Sequence, residues 1–344
     1  MAQDDIDAIG DAASGGDAAS GGGAPAPADL ILDDPSAPAR LGRATDWFAT
    51  FESRTTEKPA TLAALDATIG ALDAVDLLPR QTLRFLDAGC GPGGLLAPTI
   101  ARLGAGGRRV EAYALDSNPA HAAQAAAAAQ GRATVREGDV FAPAAAIRST
   151  LRLDPAAGID LLLAAHVGYY APDLGRWDAR MQRLIAARGV AVIIQEAAFA
   201  PFSARLNPVS GTRVTARLRR VLAARRRPHA VVGFRAGVRL PTLTAALIES
   251  LAAAPPLEEG NPHGDLPEGL AARHLAEFLI QRPLETVTPG DRRRYLEELR
   301  DLAAANGGLV PIDNALIIVL PARGGDRARA QAAALERRIR DRLS

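Results

Sequence analysis

The alternation of short apolar runs with helical stretches constrains the fold of this 344-residue chain more than any other feature. Strands buried on both faces of a parallel sheet read as continuous hydrophobic runs. Such runs occur at 83–86, 110–115, 133–135, 159–165 and 190–195. Helical stretches between them are predicted at 95–103, 119–130 and 174–187. This pattern predicts an α/β fold with a doubly wound, mostly parallel, Rossmann-like sheet.

The second half of the chain is less regular, but it completes the predicted sheet. Two more strands are expected at 229–238 and 315–320, which brings the total to seven. Helical patterns at 243–251, 270–280 and 292–305 separate them, so a helical insertion is expected before the last strand.

Composition divides the chain into six predicted segments. Residues 1–38 are Ala, Gly, Asp, Ser and Pro with few large apolar side chains, which predicts a disordered tail. A helical pattern begins near Trp47 and is expected to end at Pro79. The remaining predicted segments are an N-terminal helical cap (39–80), a Rossmann-like domain (81–240), a helical insertion (241–310), the last sheet strand (311–321) and a C-terminal helix (322–344).

Charge and residue usage exclude several classes of protein. The 40 basic and 39 acidic residues give a net charge of +1, which argues against a protein that coats nucleic acid. Lys58 is the only lysine, and the single Cys90 excludes an internal disulfide framework or a cysteine-based zinc cluster. The histidines lack metal-ligand spacing, so no metal is expected. Without a secretory signal or an apolar run of ~18 residues, a cytoplasmic protein that does not bind membranes is predicted.

A glycine-rich motif, FLDAGCGPGG at 85–94, follows the first strand and opens the first helix of the sheet. Glycines allow a tight turn and a close approach of backbone to ligand. In such folds, ligands bind at the carboxyl ends of the strands. Asp116 ends the second strand, where a carboxylate can accept both hydroxyls of a ribose. Asp139 ends the third strand and can reach an adenine amino group, so a nucleoside site is predicted.

Two nucleoside cofactors fit this place. Residues 89–94 satisfy G-x-G-x-x-G, so a nicotinamide dinucleotide must be considered. Asp87, however, can face the cationic amino end of S-adenosylmethionine and would repel a pyrophosphate. Pro92 removes an N–H that a phosphate cradle would use, and Asp139 adds a contact at the adenine end. These details favour S-adenosyl-L-methionine as the cofactor.

Residues 87–93, together with Asp116 and Asp139, resemble class I S-adenosylmethionine-dependent methyltransferases over the range 83–200. The resemblance implies an S-adenosylmethionine-binding domain at 81–240. The residues implied in cofactor binding are Asp87, Gly89, Gly91, Gly93, Asp116, Asp139 and His166.

A narrower resemblance is spread along the chain. The motifs TTEK (55–58), HVGYY (166–170), GDL (264–266), EFL (277–279) and DNAL (313–316) follow the order seen in histamine N-methyltransferase. Carried over from that family, the residues that line the amine pocket are Glu57, Tyr169, Tyr170 and Asn314. Two positions depart from the family. His166 stands where the family has a glutamine, and the position of an aromatic residue expected earlier in the first helix falls near Ala44. The acceptor is therefore not restricted to histamine.

The expected reaction is an in-line transfer of a methyl group to a neutral nitrogen, for which the protein mainly aligns the two partners. His166 and Glu57 are the predicted catalytic residues, and histidine is the natural base because its ordinary pKa lies near neutrality. The two tyrosines would attract a cation through their π faces. Glu196 ends the fifth strand at the same mouth, where two roles are open: a contact to the substrate or, as is more common, a rim charge.

The predicted function is methyl transfer to a small-molecule amine or imidazole nitrogen by a monomer or homodimer. Three alternatives remain open: a small-molecule O-methyltransferase, a nucleic-acid methyltransferase and a non-catalytic cofactor-binding protein. A nucleic-acid enzyme would use the arginine run at 213–227, which is more typical of a solvated helix face. The sequence AHVGY at 165–169 replaces the Asn/Asp-Pro-Pro-aromatic motif of base-amine methylation and counts against it.

Overall fold

A computed structural model describes most of the chain. The described residues are 50–154, 157–198, 213–253, 268–280, 283–321 and 325–344. The predicted tail at 1–38, Ala44, Trp47 and the motif at 264–266 lie outside these ranges.

The centre of the fold is a seven-stranded sheet with the order β3-β2-β1-β4-β5-β7-β6. The strands are β1 (Thr82–Ala88), β2 (Arg109–Asp116), β3 (Ala133–Glu137), β4 (Ile159–Ala165), β5 (Ile185–Ala198), β6 (His229–Arg239) and β7 (Leu309–Val319). The strands β1 to β5 pair in parallel, whereas β7 is antiparallel to both β5 and β6. The predicted doubly wound, seven-stranded, mostly parallel sheet is confirmed.

Helices cover both faces of this sheet. They are α1 (Glu57–Ala74), α2 (Leu96–Leu103), α3 (Pro119–Ala129), α4 (Ala144–Leu151), α5 (Leu174–Leu184), α6 (Arg213–Ala224), α7 (Ala245–Ala253), α8 (Glu268–Ile280), α9 (Pro289–Ala305) and α10 (Gly325–Leu343). One hydrophobic cluster joins the sheet to α1, α2, α3 and α10, and a second joins it to α4, α5 and α6. Ile194 contributes to the first cluster and Ile193 to the second, because successive strand residues face opposite sides.

A third hydrophobic cluster holds α7, α8 and α9 against the ends of β6 and β7. These helices lie between the two strands in chain order, so the helical insertion before the last strand is confirmed. Phe51 precedes α1 and stacks on Phe278 of α8 with ring centroids 4.2 Å apart. The insertion therefore packs near the start of α1 and beside the first residues of β7.

The last strand is longer than predicted. It begins at Leu309 rather than at residue 315, because β6 pairs with it through Arg239, which is opposite Leu309. Pro311 lies within the strand, opposite Gly237. As a consequence, Asn314 occupies the middle of β7 and not its start.

Other element boundaries also differ from the predictions. The helix predicted at 174–187 ends at Leu184, since Ile185 begins β5 by pairing with Ile159 of β4. The first helix ends at Ala74, before Pro79. The helix α4 was not predicted, because its eight residues carry too short an apolar pattern. Within the described ranges, no helix combines the length and the apolar character needed to cross a bilayer.

Candidate active site

The glycine loop connects β1 to α2 at the carboxyl edge of the sheet. Gly89, Gly91 and Gly93 have φ angles of 80°, 51° and 86°, a region that side chains rarely adopt. A Cβ on Gly93 would lie 2.8 Å from Cα of Ala125, so that glycine also allows α3 to pack closely. A Cβ on Gly91 would meet no atom within 4 Å in the described structure. The loop therefore exposes its backbone at Gly91, where a ligand can approach it.

Asp116 is the last residue of β2, and its carboxylate faces the glycine loop. One carboxylate oxygen accepts a hydrogen bond from the Gly91 N–H at 2.8 Å, and the other accepts from the Asn118 N–H at 2.9 Å. Each carboxylate oxygen has further acceptor capacity. Asp116 thus joins the loop to β2 and can still accept hydroxyl groups of a ligand.

Asp87 lies beneath the loop, near the end of β1, and is only 2% exposed. Its Oδ2 atom has no hydrogen-bond partner among the residues that the structure describes. Burial, and secondarily the charge of Asp116, raise the pKa of Asp87 to about 7. A cation bound above the loop would stabilise the ionised form of this carboxyl group. An orphaned, buried acid at this place fits a cationic ligand and disfavours a pyrophosphate.

Asp139, the remaining predicted acid of this half, lies at the same edge, and Cys90 lies in the loop. Asp139 is exposed two residues beyond β3, and it accepts a hydrogen bond from the Phe141 N–H at 2.7 Å. The Gly138 N–H donates to the carbonyl oxygen of Asp116 at 2.9 Å, which places Asp139 beside β2. Burial, followed by the charges of Asp87 and Asp116, raises the pKa of the Cys90 thiol, which does not suit a nucleophile.

His166 follows β4 with a positive φ of 56°, an uncommon conformation in which histidine is enriched. Its N–H donates to the carbonyl oxygen of Ile194 at 2.8 Å, which fixes the turn to β5. Its Nδ1 atom lies 3.3 Å from the Tyr169 hydroxyl, and its Nε2 atom lies 3.5 Å from Oε1 of Glu57. The structure therefore brings together three of the predicted site residues.

The Tyr169 hydroxyl group connects His166 to β5. Its oxygen accepts a hydrogen bond from the Glu196 N–H at 2.8 Å, and Nδ1 of His166 lies within hydrogen-bond distance of the same oxygen. Nε2 of His166 is buried without a hydrogen-bond partner among the described residues, and it faces Oε1 of Glu57 at 3.5 Å. His166 is therefore held through Nδ1, and its Nε2 atom and Glu57 lie side by side.

Glu57 is held in place because the start of α1 is fixed to β6. The Thr56 N–H donates to the carbonyl oxygen of Gly237 at 2.8 Å, and the Gly237 N–H donates to Oγ1 of Thr56 at 2.8 Å. The Glu57 N–H donates to Oγ1 of Thr55 at 3.0 Å. A carboxylate in the first turn is also favoured by the helix dipole.

Glu196 and Asn314 form a buried polar pair that the sequence indicated only in part. They lie directly opposite each other on β5 and β7, so their side chains share the sheet face that α1 covers. Asn314 is 0% exposed, and neither of its amide atoms has a hydrogen-bond partner in the described part of the chain. Oε1 of Glu196 is likewise unpartnered there.

Glu196 is therefore not a rim charge. It is 5% exposed. Burial raises its pKa well above the ordinary value, and the charge of Glu57 adds to this effect. The only sequence signal for such a role is its position directly after a buried strand.

The two predicted tyrosines have different surroundings. Tyr169 is enclosed and contacts His166 and Glu196, whereas Tyr170 is 67% exposed at the mouth. Their rings meet edge to face with centroids 6.4 Å apart. An aromatic wall at this edge is therefore present, with one ring half-buried and one open to solvent.

Part of the arginine run at 213–227 has a structural role. Arg225 and Arg227 lie 3.1 Å and 3.6 Å from Oδ2 of Asp178, which is fully buried in α5. These contacts compensate a buried charge and hold the end of α6 to α5. They reduce the number of arginines that are free to meet a phosphate backbone.

No family model matches the chain. Nocamycin O-methyltransferase from Saccharothrix syringae is 37% identical over 119 residues, which are 34% of this chain and 39% of that protein. The chain thus spans about two fifths of the length of this curated relative.

Among solved structures, the plantazolicin methyltransferase BpumL in complex with a pentazolic desmethylPZN analog and SAH is 12% identical, with a TM-score of 0.43, over 86% of this chain and 95% of that one. The YcgJ protein from Bacillus subtilis is 13% identical, with a TM-score of 0.42, over 75% and 99% of the two chains.

Proposed function

We propose that this protein is an S-adenosylmethionine-dependent methyltransferase that acts on a small molecule. The observation that carries the proposal is a glycine loop with a carboxyl group at each side. Asp87 is buried and unpartnered in the described structure beneath the loop, and Asp116 accepts from the Gly91 N–H. This arrangement suits a cationic nucleoside and repels the pyrophosphate of a nicotinamide cofactor. The name of the curated relative, an O-methyltransferase, agrees with it.

In this proposal the cofactor lies across the ends of β1, β2 and β3. Asp116 accepts the ribose hydroxyls, Asp139 contacts the adenine, and Asp87 faces the amino-acid end. S-adenosylmethionine, when bound, supplies a methyl group that its sulfonium activates for transfer. The helix α1 and the helices α7 to α9 flank the proposed acceptor site, since the start of α1 and these helices pack at the same end of β6 and β7.

The residues of the acceptor half orient the nucleophile and take its proton. His166 and Glu57 are the proposed bases, because Nε2 of His166 has no hydrogen-bond partner in the described structure and lies 3.5 Å from Oε1 of Glu57. Tyr169 fixes the ring of His166 through Nδ1. In this proposal the unpartnered groups of Asn314 and Glu196 offer hydrogen bonds to the acceptor from the buried side of the site.

An amine or imidazole nitrogen is the proposed methyl acceptor. Glu57 bears a negative charge near the tyrosine faces, and both features attract a cationic group before it loses its proton. O-methylation is the second candidate, favoured by the name of the 37% identical relative. It would use the same base, since a hydroxyl group must also lose its proton.

Calorimetry with S-adenosylmethionine, its demethylated product S-adenosylhomocysteine and NAD⁺ tests the cofactor assignment. We expect binding of the first two and not of NAD⁺, and no binding at millimolar ligand would contradict the proposal. Mass spectrometry of a panel of amines, imidazoles, phenols and acids, with a methyl-deuterated donor, then identifies the acceptor. Asp116→Ala serves as the control that has weakened donor binding.

A further inference from the structure

The only lysine of the chain, Lys58, contacts the glycine loop through its side chain. Lys58 is the second residue of α1, and its side chain reaches Gly94, shortly before the start of α2. A Cβ built on Gly94 would lie 2.5 Å from Cε and 2.6 Å from Nζ of Lys58. The ammonium group therefore lies against the backbone of Gly94, in space that a side chain at position 94 would share.

The ion pair that this ammonium group forms is weak. Nζ lies 3.6 Å from Oε1 of Glu52, and the two side chains are 48% and 37% exposed. Exposed ion pairs of this kind contribute little to stability, because water screens them and both side chains lose freedom. A ligand carboxylate can therefore replace Glu52 at low cost.

The loop thus lies between groups of opposite character. The Asp87 carboxyl group is buried beneath it, and the Lys58 ammonium group lies on its far end at Gly94. An α-amino acid carries an ammonium and a carboxylate on one carbon atom, so it matches this pair when it lies along the loop. We propose that Lys58 binds the α-carboxylate of the amino-acid part of the cofactor. This inference rests on the proposed function, because that function brings the amino acid to the loop.

A matched pair of ligands tests the inference without a turnover assay. S-adenosylhomocysteine carries the amino acid, whereas 5′-methylthioadenosine keeps the adenosine and the sulfur but lacks it. By calorimetry on the full chain, Lys58→Met should weaken binding of S-adenosylhomocysteine about tenfold to a hundredfold, the range for a lost charged hydrogen bond. Binding of 5′-methylthioadenosine should stay within about twofold, and Lys58→Arg should recover most of the loss.

Chemical labelling of the unaltered protein provides a second measurement. Because Lys58 is the only lysine, reductive methylation with formaldehyde and a borane modifies one side chain, and the N-terminal amine serves as an internal reference. S-adenosylhomocysteine should protect Lys58 from methylation, and 5′-methylthioadenosine should not.

The outcomes separate this inference from the proposed function. Lys58→Met could lose affinity for both ligands equally, or both ligands could protect Lys58 equally. Either result would show that Lys58 supports the loop instead of binding the carboxylate, and would overturn the inference. Unchanged binding of S-adenosylhomocysteine by Lys58→Met would also overturn it and leave the proposed function intact. If the unaltered protein binds neither ligand, both proposals fall.

Discussion

Gly93 and Gly107 have almost the same backbone conformation in different surroundings. Their φ angles are 86° and 85°. A Cβ on Gly93 would lie 2.8 Å from Cα of Ala125, whereas a Cβ on Gly107 would meet nothing within 4 Å in the described structure. Alanine substitutions at these two positions therefore separate the free-energy cost of the backbone conformation from that of the packing contact.

We expect Gly107→Ala to lower the free energy of unfolding by about 1 kcal/mol, the cost of a side chain in the left-handed region. Gly93→Ala should cost about 1–3 kcal/mol more, since α3 must move away from the loop. Urea unfolding of both variants measures the difference. Equal losses would show that the contact between the loop and α3 is not tight.

The buried Asp87 makes a prediction about pH. Its pKa is about 7 in the folded protein against 3.8 in an unfolded chain, so the folded state binds the proton more tightly. Ionisation of Asp87 therefore lowers the free energy of unfolding. This loss is absent below about pH 4, grows as the pH rises to about 7, and is constant above. Asp87→Asn removes the loss, which amounts to about 4 kcal/mol above pH 7.

Thermal melting of the ligand-free protein and of Asp87→Asn between pH 4 and pH 8 tests this linkage. The melting temperature of the variant should rise above that of the unaltered protein as the pH increases. Melting curves that stay parallel over this range would contradict the raised pKa of Asp87. The same variant should bind S-adenosylhomocysteine more weakly, because the carboxylate that faces its ammonium group is lost.

At the scale of elements, the positions of the strands could be predicted more accurately than the ends of β5 and β7. The apolar runs of β1, β2 and β4 are fixed by burial on both faces, and their positions were predicted well. The ends of β5 and β7 depend on pairing with distant strands, which periodicity does not report. For this reason the predictions placed Ile185 in a helix and Asn314 just before the strand expected at 315–320.

The helix α8 contains a charge network that was not predicted. Nε of Arg273 lies 3.0 Å from Oε1 of Glu277, and Nη2 lies 2.7 Å from Oε2 of Glu285. The Glu277 carboxylate also accepts from the Leu284 N–H at 2.9 Å, and the Arg273 side chain is only 5% exposed. The network therefore joins α8 to the segment that follows it. The motif EFL at 277–279 thus includes a structural glutamate.

We expect Arg273→Met to lower the free energy of unfolding by about 3–5 kcal/mol, because it leaves buried carboxylates without their cation. The matched control is Arg293→Met, which removes an exposed ion pair with Glu249 and should cost about 1 kcal/mol or less. Guanidinium unfolding of both variants provides the comparison. Similar losses for the two variants would mean that the Arg273 network is solvated.

At the scale of the whole molecule, the two halves of the candidate site differ in how far the sequence could predict them. The cofactor half consists of one contiguous loop, 85–94, and the end of the next strand, so its motif is visible as a string of residues. The acceptor half combines α1 with β4, β5 and β7, which only the fold brings together. The position of Glu196 after a buried strand indicated its place at this mouth, whereas the contact of Lys58 with the loop follows only from the fold.

Buried amides on the two faces of the sheet test whether the acceptor half is built for a ligand. Asn314 and Gln195 are both 0% exposed, and no side-chain amide atom of either has a hydrogen-bond partner within the described ranges. Asn314 faces the α1 side with Glu196, whereas Gln195 lies next to Gly168 and Val214 on the opposite face. The two amides are therefore equally buried but lie on opposite faces of the sheet, and only Asn314 lies on the face of the proposed acceptor.

Asn314→Val and Gln195→Met should each raise the free energy of unfolding by about 1–3 kcal/mol, since each removes an unsatisfied buried amide. Both variants should bind S-adenosylhomocysteine as the unaltered protein does. Only Asn314→Val should raise the Michaelis constant for the acceptor identified by mass spectrometry, because natural proteins retain such strain where it serves function. If Asn314→Val gains stability and keeps the same Michaelis constant, the Asn314 amide does not contact the acceptor. A loss of stability in Asn314→Val would instead show that the amide is satisfied within the fold.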